Sequence, residues 1–343
     1  MYNKEISTEE SRIITVTRTV AMLSIVMCHL VSWFPSISFI GQFFNVGVPV
    51  FFIISGYLYG QKDIKRIIPW YKKQFVKIIL PIYIYILTAV VILLSFGKLG
   101  TIEPFRCILA ILQLRGFVDA SIGNVTIGHL WFISFILLCY LITPFLQFLR
   151  ERINLGKAIV IVFFLSIVEM PFIILIKPQG FISCFPGVFS YILAYFLGAY
   201  WNKIITKKAY IILISAMIIS VITRLLGKHL ADTNRIEPVI YDKVIANYTH
   251  CVLAFWIFLT IYYLLTNFKR LGDLLYPICK VCDTYSYEVY IFHYMYITGV
   301  LSLRTLTSNI AINILLFAIM TCISALFLHY TAAILNKKLC SKK

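Results

Sequence analysis

Charge is what this 343-residue sequence has least of. Only 13% of its residues are charged against 61% hydrophobic, and just 14 are acidic against 31 basic. That apolar share lies well above an ordinary soluble domain and excludes one. The shortage of acid leaves a formal net charge of +17. The basic residues nevertheless sit in short clusters between apolar segments, without the stripe of interleaved aromatics that a nucleic-acid surface needs, so no nucleic-acid partner is expected.

Other features are missing too. No cleavable signal is expected: MYNKEISTEES is polar, and the run after Arg12 is longer than a signal core and has no small-residue cleavage site. The first helix is expected to stay in the membrane, led in by Ser7 and Glu10 at capping-box spacing. The nine cysteines imply no disulfide framework, because most fall inside apolar runs, where a thiol acts as a small hydrophobe. Cys279 and Cys282 form CKVC, but without a second ligand pair they make no metal site, and no metal is expected. The chain also lacks a Gly-rich phosphate loop, internal repeats and low-complexity segments.

What is present is a series of apolar segments of about 20 residues, the length of a membrane helix. Ten qualify, at about 13–33, 39–60, 75–97, 129–149, 157–176, 183–202, 209–226, 249–268, 287–303 and 309–335. The fold class expected is all-α: a polytopic bundle of about ten transmembrane helices, multi-pass in the plasma membrane. It forms a single domain over 1–343, made of a cytoplasmic segment 1–12, the bundle 13–335 and a basic tail 336–343. With the N-terminus inside, 22 of the 31 basic residues fall on cytoplasmic connections, which supports both ends being cytoplasmic. Residues 98–128 are expected to dip into the bilayer or cover a cavity. Residues 227–248, with Asp232, Glu237 and Asp242, read as a water-facing loop, and FKRLGDLLYPICKVCDTYSYE as an interfacial stretch.

Polar residues inside the spans are costly and need a reason. RTVAMLSIVMCH carries Arg18 and His29 eleven residues apart, about three helical turns, so they share a face about 16 Å apart along the axis. Arg18 snorkelling to lipid with His29 bonded to backbone is one reading, and a functional pair is the other. GVPVFFIISGYLYG offers small residues, Ser55 and Gly56 among them, for close packing or for a ligand. Its Pro49 predicts a kink. QKDIKRIIPWYKKQFVK gathers Arg66, Lys73 and Lys77 at the cytoplasmic mouth, suited to the phosphates of an anionic ligand or to membrane lipid headgroups. His129 and Trp131 open the fourth span, either wet and interfacial or next to a site. Glu169 is a carboxylate deep in an apolar run that needs a partner, and His293 is a core histidine or a catalyst.

These residues come in an order that resembles the acyltransferase family 3 membrane proteins. The order is Arg18-x10-His29, FFIISGYL, a basic segment closing on Pro81, GHLWFI with Tyr140 and Pro144, and TYSYEVYIFH, from residue 12 to about 335. The resemblance implies an O-acyltransferase of cell-surface carbohydrates, with acyl-CoA, most simply acetyl-CoA, as donor co-substrate. It also implies a carbohydrate acceptor and Arg18 with His29 as the catalytic pair. Phe52, Ser55 and Gly56 match one family stretch. Lys73 and Lys77 stand where arginine is commoner, which keeps charge attraction but not bidentate gripping. WFISFILLCYLITP has Ile136 and Leu137 where members with a fused hydrolase-like domain carry acids, so the chain resembles the stand-alone branch. His29 would act as base or acyl carrier, with His129, Trp131, Glu169 and His293 as supporting residues. An exporter of a glycan or small molecule is the competing reading, although no paired broken helices in two repeats support it.

Overall fold

The computed structural model describes residues 7–176, 184–200 and 207–340. Residues 1–6, 203–206 and the last three of the basic tail therefore lie outside the described residues. Among the described residues every regular element is helical, and eight helical stretches are long and apolar enough to cross a membrane. We label the helices α1 (Thr8–Leu30), α2 (Gly47–Gly60), α3 (Ile67–Ser95), α4 (Pro104–Ile111), α5 (Trp131–Arg150) and α6 (Leu155–Ile176). They continue as α7 (Phe185–Tyr200), α8 (Lys207–Asp232), α9 (Ala246–Asn267), α10 (Lys269–Thr284), α11 (Ser286–Ile297) and α12 (Ile310–Cys340). The count of ten was approximate: α7 and α11, at 16 and 12 residues, fall short of the bilayer.

Two helix boundaries move function-bearing residues. α3 begins at Ile67, not near 75, so Lys73 and Lys77 stand one turn apart on a helix face and do not hang in a connection. The stretch 227–248 is not a loop. α8 runs on to Asp232, and a helical segment from Pro238 leads through a π-turn at Tyr241–Ile245 into α9. Its polar residues follow a helical period masked by their number. Pro49 lies in the first turn of α2, where its missing N–H is no loss, and so it starts the helix without kinking it.

α1 lies against α2, α9, α10 and α11, and its buried residues Ile13, Ile14, Ala21 and Ile25 are at most 4% exposed. Close approach of α2 is set by glycine. A Cβ on Gly47 would lie 2.3 Å from the Ala21 carbonyl oxygen, and one on Gly56 or Gly60 would lie 2.2 or 2.0 Å from carbonyl oxygens of α7. α7 answers with Gly198 against Tyr57. In lipid, where no hydrophobic force drives helices together, such small-residue contacts let backbones touch and maximise dispersion. The outer faces of α6, α8 and α12 carry exposed Phe163, Phe164, Ile212, Ile219, Leu315 and Ile323, the surface expected toward lipid.

α10 docks along the inner half of α1. Arg12 pairs with Asp273 at 2.5 Å, Thr19 Oγ1 donates to the Cys279 carbonyl at 3.0 Å, and Arg18 pairs with Asp283 at 3.6 Å. Its opposite face exposes Leu274, Ile278 and Val281 at helical spacing, an amphipathic helix suited to the membrane surface. At the same end Arg150 is buried and donates to the Gly60 and Lys62 carbonyls and to Asp63. That fixes the turn carrying Lys62.

The segment 98–128 is a cap. Ala120, Ile122, Val125 and Ile127 are buried in the main core. Tyr85 donates to the Thr126 carbonyl at 2.7 Å, and Ser134 links the Gln113 carbonyl and the Gly116 N–H.

Candidate active site

Three histidines from three helical regions meet at the outer end of the bundle. His29 ends α1, His129 lies in the turn leading into α5, and His293 is on α11. The His29 ring is 5.4 Å from that of His293 and 4.6 Å from Tyr294, and His129 is 5.6 Å from His293 and 4.9 Å from Tyr294. His129 is buried at 4% exposure and is not wet. The turn preceding α5 carries it inward, where the Tyr290 hydroxyl donates to its carbonyl at 2.5 Å.

Hydrogen bonds settle two tautomers. His293 Nδ1 faces the carbonyls of Tyr290 at 2.7 Å and Val289 at 3.1 Å, so it carries the proton, and Nε2 is a bare acceptor. His129 Nε2 donates to the Ile291 carbonyl at 2.9 Å, leaving Nδ1 bare. Both bare nitrogens are buried without a partner. Unpaired buried acceptors are unfavourable and are kept where a partner arrives later. His29 is half-buried and opens on a cavity of about 540 Å³, whose lining also includes His129, Trp131, Tyr294, Phe52 and Val48. Cavities of this size hold small ligands.

The cavity stops at Phe52. That ring packs edge-on to Phe132 at 4.9 Å, and Phe132 in turn lies 5.8 Å from Tyr290. Further toward the N-terminus of α1, Tyr140 packs edge-on to Tyr59 at 5.3 Å and interacts with Ser55, and Arg18 is within electrostatic reach of both tyrosines. Around Arg18 a second group assembles: Lys62 and Lys77 lie within its field, and both feel Lys73. Desolvation, then Arg18 and Lys73, pushes the Lys62 ammonium below its usual range. Burial raises the Asp283 carboxyl more than the neighbouring Arg18 lowers it. Four cations here outnumber the carboxylates that act on them, Asp283 and Glu288 among the described residues, and such a cluster is suited to bind an anion.

The structure thus brings His29, His129, Trp131 and His293 to the C-terminal end of α1, and Arg18, Lys73 and Lys77 together at its middle, about three turns away. Ser55 and Tyr140 interact near Arg18. Gly56 turns away, its Cβ direction filled by α7, so the slot expected there is closed by helix packing. Arg66 is exposed just before α3 and shares none of these contacts. Glu169 accepts from the Tyr248 hydroxyl at 2.5 Å, and among the described residues it neither orients a histidine nor pairs a cation. The sequence marked Tyr140 only as a motif residue and Asp242 only as a loop residue, with no sign of Asp283, Tyr294 or the polar face that Asp242 forms with Lys243 and Asn247. That face was legible only once 238–250 is read as a helix with residues at i, i+4 and i+7.

Comparison with known proteins adds one finding. The family model of the acyltransferase domain, acyltransferase family 3, matches residues 12–329. No curated protein and no solved structure matches the chain.

Proposed function

The chain belongs to the acyltransferase family 3 of membrane acyltransferases, and on that premise we propose that it moves an acyl group, acetyl in the simplest case, from cytoplasmic acyl-CoA to a hydroxyl of a cell-surface carbohydrate or its lipid-linked precursor. The observation that carries this reading is the arrangement along α1, with a cation cluster around Arg18 at mid-helix and a histidine cluster around His29 at its C-terminal end. The two residues are about 16 Å apart along the helix. That matches a donor with an anionic head and a long arm carrying its thioester. Localisation in the plasma membrane fits an acceptor exported to the surface.

In this mechanism Lys62, Lys73, Lys77 and Arg18 bind the phosphates of the donor. Arg18 cannot act as a base, so its part is charge stabilisation and positioning. The arm passes Ser55, Tyr140 and the Phe52–Phe132 pair, whose rings must swing aside, and presents the thioester in the outer cavity. A neutral His29 nitrogen takes the proton of the acceptor hydroxyl as its oxygen attacks the thioester carbonyl. The carbon–sulfur bond then breaks, and the imidazolium returns the proton to the departing CoA thiolate. The same nitrogen has a second route, attacking the carbonyl itself and passing the acyl group on.

The test is direct. Purified protein in lipid nanodiscs, given labelled acetyl-CoA and base-treated surface polysaccharide from the source cells, should release CoA and label the polysaccharide in equal amounts. Absence of both products with every acyl-CoA tried would overturn the proposal.

A further inference from the structure

Besides His29 and His129, the cavity is lined by a group of another character. It is built by the turn at Tyr241–Ile245 and by α9, and it presents Asp242, Lys243, Asn247 and His250. Lys243, Asn247 and His250 follow i, i+4, i+7 and would share a face of any helix. Asp242 would sit at the edge of that face, and the wider π-turn rotates it toward the cavity. Such π-turns gather at functional sites, because they re-aim side chains without ending the helix. His250 is buried and held by the Gln42 carbonyl at 2.9 Å, which ties the wall to the segment before α2. Trp131 lines the same cavity.

The charges on this wall balance. Counted formally, Asp242 offsets Lys243, and Arg115, which also lines the cavity, is offset by Asp119, with which it pairs at 2.8 Å. A net-neutral wall has no net pull on a phosphate or carboxylate. It does have a carboxylate to accept from hydroxyls, an ammonium with three donor hydrogens, an amide whose Nδ2 gives one hydrogen to the Lys243 carbonyl at 2.9 Å and has a second to give, and an aromatic plate for an apolar ring face. That set fits a neutral, polyhydroxylated ring. We propose that this wall, with Trp131, is the acceptor subsite, taking one uncharged glycosyl unit so that one of its hydroxyls faces His29. The inference rests on the acyl-transfer reading and adds to it where the acceptor sits and that recognition is by hydroxyls, not by charge.

The test separates the two. Asp242→Asn and Asn247→Ala are compared with the wild type in nanodiscs. One measurement is binding of the base-treated polysaccharide by calorimetry without any acyl-CoA, and the other is acetyl-CoA turnover. The expected result is polysaccharide affinity reduced tenfold or more in each variant, with the KM for acetyl-CoA within twofold of wild type. Unchanged polysaccharide affinity overturns the subsite even if transfer is observed. Displacement of the bound polysaccharide by inorganic pyrophosphate also overturns it, since the wall would then read a charged linker and not the sugar. Polysaccharide binding that depends on Asp242, with no CoA release by the wild type, would keep the subsite and defeat the acyl-transfer reading instead.

Discussion

Replacing His293 with Leu should lower kcat about a hundredfold and leave the KM for acyl-CoA nearly unchanged. The reasoning begins with its bare Nε2. The His29 and His293 ring centroids are 5.4 Å apart. Taking about 1.2 Å from centroid to nitrogen in each ring leaves roughly 3 Å, which is hydrogen-bond range once the rings align. His29 has a proton on one nitrogen when neutral. If that proton points to His293, the other nitrogen is bare and free to act as base. Leucine removes this partner, so His29 spreads between tautomers and orientations, and the loss falls within what a positioned base contributes, about 2.7 kcal/mol for a hundredfold. The assay is steady-state CoA release from labelled acetyl-CoA in nanodiscs, run beside His293→Gln. The Gln amide oxygen reaches near the Nε2 position and should restore part of kcat. Leu and Gln variants that lose activity equally, with equal falls in melting temperature, would refute the reasoning and make His293 a packing residue.

Further predictions concern the inner mouth and the helix contacts. Asp283→Asn removes the competitor for Arg18, a pair at 3.6 Å whose side chains are 37% and 15% exposed, and should lower the KM for acyl-CoA by about fivefold or more, the upper end for an exposed pair; a raised KM would mean that Asp283 orients Arg18 for the donor. Replacing Lys73 and Lys77 together with Gln should raise that KM and flatten its dependence on ionic strength, since the interaction is charge attraction; an unchanged KM assigns them to lipid. Gly56→Ala places a Cβ 2.2 Å from the Tyr191 carbonyl oxygen and should cost about 1–3 kcal/mol by forcing α2 and α7 apart, read as a lowered melting temperature in detergent. Retention of the wild-type value would show that the contact is loose.

Much of this molecule was legible in the sequence because lipid imposes simple rules. Apolar length marked the spans, and the same helical period that placed Arg18 and His29 on one face holds in α1. Histidines 129 and 293 were visible as polar residues in apolar surroundings, yet nothing in their spacing says that they meet His29. That meeting is a tertiary fact, made by the turn before α5 and by the placement of α11 against α1. Gly56 shows the converse limit. A small residue has the same signature whether the space beside it holds a ligand or another backbone, and only the position of α7 decides. The wall at 242–250 was hidden because a polar run facing a cavity looks, without its neighbours, like a polar run facing water. Glu169 needed a partner, and the sequence had no means of choosing Tyr248, 79 residues away.

The central claim is that His29 performs acyl transfer in the outer cavity. The most direct measurement is a single turnover of labelled acetyl-CoA with base-treated polysaccharide, by wild type and by His29→Ala in nanodiscs, with donor binding measured in parallel. His29→Ala should bind acetyl-CoA within about threefold of wild type and transfer label about a hundredfold more slowly or worse. Transfer at the wild-type rate by His29→Ala would contradict the claim.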